Sequence, residues 1–277
     1  MRDSDFASKR RATDEKRSAD KGAFGLAAVL LLIAASQLVL WAGPAPVEKV
    51  PHVPPGTVIP VHLDGAFELG SAHAQQKIEA RVAQEVPLPG KQKVSLRAEV
   101  YATVVSVNKS GEGPVSVSLK FDQLEEKDQT SPLTTSVRAI ASLRSVRNAQ
   151  VPLAGADAGT PAGWGTTVQL GGDTRFGDGG KVRNRHKQAV GKGVMGGVLV
   201  HLGGNEEMGC DGPGPGDRLQ ATWVFSADAC GVYDLKNVKI VHNGRTDPVG
   251  VITLQFAKDD MNLESGTAFL LRTVPQH

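Results

Sequence analysis

Ala23 to Gly43, AFGLAAVLLLIAASQLVLWAG, carries no charged residue. At ~1.5 Å rise per residue, a helix of this length crosses the ~30 Å hydrocarbon core of a bilayer. The stretch divides the chain into a short charged tail before it and a long, strand-rich part after it. Phe24, Leu31 and Leu40 lie in the apolar run. Trp41 suits the far interface, where an indole straddles apolar and wet zones. A secretory signal also has a basic start and an apolar core, and Ala34-Ala35-Ser36 offers a small-residue cleavage site. Signal cores stop after roughly 7–15 residues, whereas this run continues through Leu38, Val39, Leu40 and Trp41. The sequence therefore reads as a retained single-pass transmembrane helix over 23–43, with a cleaved signal as the alternative.

Residues 1–22 hold seven Lys or Arg (Arg2, Lys9, Arg10, Arg11, Lys16, Arg17, Lys21) against five acids, with no apolar periodicity. They read as a disordered tail. On the other flank, residues 44–55 carry one basic residue, Lys49. Basic residues close to a span set its orientation. The expected topology is a bacterial inner-membrane protein with its N-terminus in the cytoplasm and the remainder in the periplasm. If the segment is cleaved, the protein is secreted or periplasmic instead. Pro44, Pro46, Pro51, Pro54 and Pro55 make 44–55 a stiff linker. At ~3.1 Å per residue in polyproline geometry it spans roughly 35 Å.

The net charge is +2 and aromatic residues are 5% of the chain. Neither a concentrated basic face for nucleic acid nor an aromatic stacking platform is expected. The expected partners are the inner membrane, other envelope proteins or copies of the same chain. In an oxidising compartment Cys210 and Cys230 are expected to form one disulfide; two unrelated buried thiols are the alternative. Two sulfurs with no nearby histidine cannot complete tetrahedral zinc, so no metal is expected.

From Gly56 the pattern turns to strands, and 56–145 reads as a β domain. Thr57 to Leu63 is β-branched and bounded by Gly56 and Gly65. Lys77 to Val82 alternates, but Ile78, Val82 and Val86 also lie four apart, which leaves strand and helix both open. Glu99 to Val107 is a strand, Asn108 to Gly113 a hairpin loop, and Val115 to Phe121 alternates with period two. Leu133 to Leu143 offers a further strand, with Val137, Ala139, Ala141 and Leu143 on one face. The block reads as an antiparallel meander.

The succession of Val53 to Leu63 (VPPGTVIPVHL), Ile78 to Val82 (IEARV), Glu99 to Val107 and Val115 to Leu124 resembles the C-terminal β-barrel of TrbI-like scaffold proteins of conjugation and type IV secretion. It also resembles bacterial envelope proteins with a related Pro-x-Gly-Thr strand. The likeness covers about 90 residues. Family members often place a Pro-x-Gly turn before the long central strand; here Ser95-Leu96-Arg97 stands at that place. The resemblance implies an inner-membrane anchor, a proline-rich periplasmic spacer and a β-barrel that assembles into a ring. The spacer here is much shorter, and no clear long insertion for an outer-membrane pore is present. The architecture is carried over and the secretion role is not.

Residues 146–204 read as an irregular glycine-rich segment with short strands at Thr166 to Leu170 and Val198 to Leu202. Its basic loop, Lys181, Arg183, Arg185 and Lys187, is a candidate contact for an anionic ligand; a solvated loop is the plainer account. Residues 205–277 read as a C-terminal β segment, with strands at Arg218 to Ser226, Asn237 to Val241, Val249 to Phe256 and Thr267 to Val274. The expected fold is mainly β: one transmembrane helix followed by antiparallel barrel or sandwich modules.

No motif names a reaction. Gly191 to Gly196 matches G-x-G-x-x-G, but a basic loop precedes it and a strand follows, so no helix N-terminus is there for a pyrophosphate. His62, His201 and His242 fall in expected strands without ligand spacing. Asp173 and Asp178 are too few acids for a calcium loop, and there is no G-x-S-x-G elbow. No catalytic residue or cofactor is assigned. The function expected is structural or interaction-based. The alternatives are a secreted or periplasmic module that binds a polysaccharide or anionic ligand near Arg183 and Trp164, and an enzyme of unrecognised type.

Overall fold

The computed structural model describes residues 52–109, 113–127, 129–151, 165–177, 179–205, 207–212, 218–241, 249–258 and 261–275. Phe24, Leu31, Leu40 and Trp41, and with them the expected tail, transmembrane helix and most of the linker, lie outside these residues, as do Trp164 and His242. Among the described residues no helix is long and apolar enough to cross a membrane.

The chain from Val50 onward forms one unit, mainly β. Its first half runs through β1 (Val58–Leu63), the short β2 (Phe67–Glu68), β3 (Lys77–Val82), β4 (Val86–Pro87), β5 (Lys93–Val94), β6 (Glu99–Lys109), β7 (Val115–Glu126), β8 (Gln129–Pro132) and β9 (Thr135–Ala141). A short helix, α1 (Leu143–Asn148), follows. The glycine-rich part contributes β10 (Gly165–Thr167), β11 (Thr174–Gly177), β12 (Lys181–Arg183), β13 (Ala189–Val194), β14 (Gly197–Val200) and β15 (Gln220–Ala221). The last part adds β16 (Gly231–Tyr233), β17 (Val238–Ile240), β18 (Ile252–Phe256), β19 (Asn262–Leu263) and β20 (Ala268–Thr273).

Ten of these strands share one sheet, in the order β16-β9-β20-β1-β3-β6-β7-β18-β17, with β8 added to β7. Every pair is antiparallel except β16 with β9, which is parallel. Strands of 56–145 and 205–277 therefore interleave in a single sheet. The closing strand β20 inserts between β1 and β9, so the meander stops short of β9.

This sheet cannot lie flat. Its edge strands β16 and β17 are consecutive in the chain, and five Cα–Cα steps from Tyr233 to Val238 reach at most ~18 Å. Nine strands side by side at ~4.8 Å would set those edges ~38 Å apart. The sheet therefore rolls until its edges approach. The inward residues of β7, Val115, Val117, Leu119 and Phe121, alternate with half-buried Ser116, Ser118 and Lys120. They join Ile59, Val61, Val100, Leu254, Phe256, Phe269 and Leu271 in the interior, where Phe121 and Phe269 pack at 5.2 Å between ring centroids. Lys77 to Val82 is a strand because its period-two residues Ile78, Ala80 and Val82 enter this core, while Lys77 and Glu79 stay exposed.

Strand β9 departs from simple alternation. Leu270 pairs with Ala139 and Leu271 with Val137, so Arg138 is the extra residue of a β-bulge. A bulge re-aims side chains. Val137 and Ile140 enter the interior of the roll, whereas Ala139 and Ala141 belong to a second cluster with Val58, Ala268 and Leu270, against Leu202, Val224, Phe225 and Ala229. The expectation of Val137, Ala139, Ala141 and Leu143 on one face is corrected accordingly. Leu143 opens α1, which Ser142 caps by accepting a 3.1 Å bond from the Ser145 amide.

The six strands β10 to β15 form a second antiparallel sheet in simple chain order. Phe176, Val182, Val198 and Val200 bury one face of it with Ala227. Gln84, 1% exposed, fastens this sheet to the roll. Its Nε2 donates to the Val198 carbonyl (2.9 Å), and its Oε1 accepts from the Trp223 amide (2.6 Å). Gln220 Oε1 likewise accepts from the Val58 amide (3.0 Å).

Candidate functional site

Cys210 and Cys230 form a disulfide. The segment around Cys210 is tied down a second time by Arg138. The bulge sends this side chain outward into the second cluster, where it is 1% exposed. Its Nε donates to the Ala229 carbonyl (2.8 Å), its Nη1 to the Asp211 carbonyl (2.7 Å), and its Nη2 to the Gly203 carbonyl. Burial, and secondarily the charge of Arg272, push this guanidinium down to about 10. Gly203 also donates to the Ala227 carbonyl (2.9 Å), and Asn205 and Cys210 exchange backbone bonds of 2.8 and 2.9 Å.

The segment held this way walls a cleft of about 800 Å³. The Gly171-Gly172 turn, the tip of the β12–β13 hairpin, and Asp228, Val232 and Tyr233 also line it. Gly171 has φ +97°, and a Cβ there would stand 2.6 Å from the Ala229 Cα. Only glycine lets the turn approach so closely. Tyr233 Oη donates to the Cys230 carbonyl (3.0 Å) and accepts from the Cys230 amide (2.9 Å). Burial pushes its hydroxyl up. At the hairpin tip Asn184 Oδ1 accepts from the amides of His186 (3.0 Å) and Gln188 (3.1 Å), which fixes the backbone that carries Arg185 and His186 to the rim.

The structure separates the four basic residues expected to meet an anion. Arg185 lines the cleft and Lys187 stands exposed on the same tip. Lys181 and Arg183 lie on β12. Two cations overlooked in the sequence stand directly across from them: Arg175 pairs with Arg183, and Lys192 with Lys181. No local signal marks either pair: Arg175 meets Arg183 across the hairpin that turns at Gly179-Gly180, and Lys192 meets Lys181 across the one that turns at Asn184. The G-x-G-x-x-G stretch forms the end of β13 and the Met195-Gly196 turn, and β14 follows it. His62 packs against Trp223 at 6.1 Å between ring centroids, whereas His201 lines the cleft. Asp173 is described and Asp178 is not. Among the described residues no three His, Cys, Asp or Glu side chains converge as metal ligands. The cleft offers donors, acceptors and one cationic rim, an arrangement that orients a polar ligand.

A smaller hollow of about 350 Å³ lies by the Ser95-Leu96-Arg97 turn. Glu99 pairs with Glu125 across β6 and β7, and Tyr101 Oη donates to Glu99 at 2.5 Å, which pushes the Tyr101 hydroxyl up.

No protein-family model, no curated protein and no solved structure matches this chain. The site's chemistry is the ground for a functional reading.

Proposed function

We propose that the protein is a membrane-anchored, extracytoplasmic envelope protein whose rolled sheet, a β-barrel in form, carries a non-catalytic binding surface centred on the cleft. The observation that supports this best is the cleft wall held by both a disulfide and the Arg138 guanidinium. Disulfides persist in oxidising compartments, and a wall held in advance lowers the ordering cost of binding. The charge-free run over 23–43 and the basic residues before it supply the anchor and its orientation. Cell fractionation with N-terminal sequencing tests the reading. A membrane-bound chain with residues 1–22 intact is expected. A soluble chain starting near Ser36 would replace the anchor by the second reading, a secreted or periplasmic module for an anionic ligand, which Arg185 at the cleft rim favours.

A further inference from the structure

We propose that the face of the second sheet formed by β11, β12 and β13 binds an acidic polysaccharide, one bearing carboxylates along its length. This rests on the reading of the protein as an extracytoplasmic binding module and names its ligand class.

Arg175 lies directly opposite Arg183, and Lys181 directly opposite Lys192. Side chains alternate along a strand, so all four project from the face opposite buried Phe176 and Val182. The two pairs stand side by side, since Arg183 and Lys181 are alternate residues of β12. The concentration is local: residues 174–194 hold six Lys or Arg and one acid, Asp178, in a chain whose net charge is +2.

Neighbouring strands stand ~4.8 Å apart and alternate residues on one strand ~6.7 Å apart. The four cations therefore form a compact lattice, about one sugar ring in each direction. Arginine forks match carboxylates in particular. Among the described residues of β11–β13 the aromatic ring is Phe176, buried on the other face, so the cationic face has no stacking platform for bases. The hairpin tip leads from this face to the cleft rim at Arg185. A flexible polymer can follow that path and seat a ring in the cleft, whereas a flat bilayer meets the face alone.

The test uses the full chain in detergent micelles. The probes are polygalacturonate, neutral dextran and phosphatidylglycerol vesicles. Polygalacturonate should bind in a salt-sensitive manner and dextran should not. The double variants R175Q/R183Q and K181Q/K192Q should each weaken polygalacturonate binding at least tenfold. The equal charge loss of K77Q/K239Q, on exposed positions of the first sheet, should change it less than twofold. Melting temperatures of the first two variants should stay level, so that weaker binding is not a loss of fold. An equal loss in K77Q/K239Q, or lower melting temperatures in both patch variants, overturns the proposal. Binding to vesicles without binding to polygalacturonate assigns the face to a membrane surface and overturns the glycan. Absence of any binding overturns it too. Fractionation and N-terminal sequencing judge the extracytoplasmic reading separately.

Discussion

Replacing Arg138 by methionine tests whether one buried guanidinium holds the cleft wall. The side chain is 1% exposed and donates to three carbonyls on two segments, Gly203–Asp211 and Ala229. Hydrogen bonds from a charged donor contribute ~1.5–3 kcal/mol each, about 7 kcal/mol together at mid-range. Burial of the charge opposes this. The fall of the guanidinium to about 10 corresponds to about 3 kcal/mol. The balance is ~4 kcal/mol in favour of the native arrangement, and methionine fills most of the volume while leaving all three carbonyls without the donor. Arg138→Met should therefore lower the unfolding free energy by ~2–5 kcal/mol. The assay is urea unfolding of residues 50–277, a unit in itself, under oxidising conditions and followed by tryptophan fluorescence. The urea midpoint should fall with an unchanged slope. A loss below ~1 kcal/mol would refute the balance and leave the disulfide as the effective tie.

Replacing Cys210 and Cys230 by serine opens a loop with a sequence separation of 20 and should cost ~3 kcal/mol. Combined with Arg138→Met the effects should depart from additivity by ~0.5 kcal/mol or more, because both ties hold one segment; a double-mutant cycle measures this. Gly171→Ala forces a Cβ to 2.6 Å from the Ala229 Cα at φ +97° and should cost ~2–4 kcal/mol in the same urea assay. Asp234 is held down at about 2, chiefly by its hydrogen bond from Arg144 and then by that from Ser142. A carboxylate depressed in the folded state adds stability that is complete above its ordinary 3.8 and is lost as pH falls toward 2. The wild type should lose melting temperature across that window more steeply than Asp234→Asn, and parallel curves would contradict the pairing.

The strands that were legible are those with one face in the roll. Val115 to Phe121 alternates because Val115, Val117, Leu119 and Phe121 fill a core while their neighbours face outward. The same physics settles Lys77 to Val82, whose four-residue spacing had left a helix open. Strand β9 was misread on its faces because a bulge is a property of pairing: nothing in Thr135 to Ala141 announces that β20 will arrive one residue out of step at Arg138. The helix at Leu143–Asn148 did have a local signal, the Ser142 cap. The second sheet was hidden by glycines, which carry no alternating pattern, so the pairing of Arg175 with Arg183 and of Lys181 with Lys192 emerges only once the register is known. The cysteine pair was legible as a disulfide, but its place in a cleft wall depends on Arg138, Gly171 and Tyr233, which converge from three distant parts of the chain.

Trypsin added to intact spheroplasts tests the central claim most directly, because Lys49 lies in the linker between the charge-free run and the rolled sheet. The account predicts release of a soluble fragment beginning near Val50 with the Cys210–Cys230 bond intact. A chain that stays full-length until the membrane is permeabilised would contradict it.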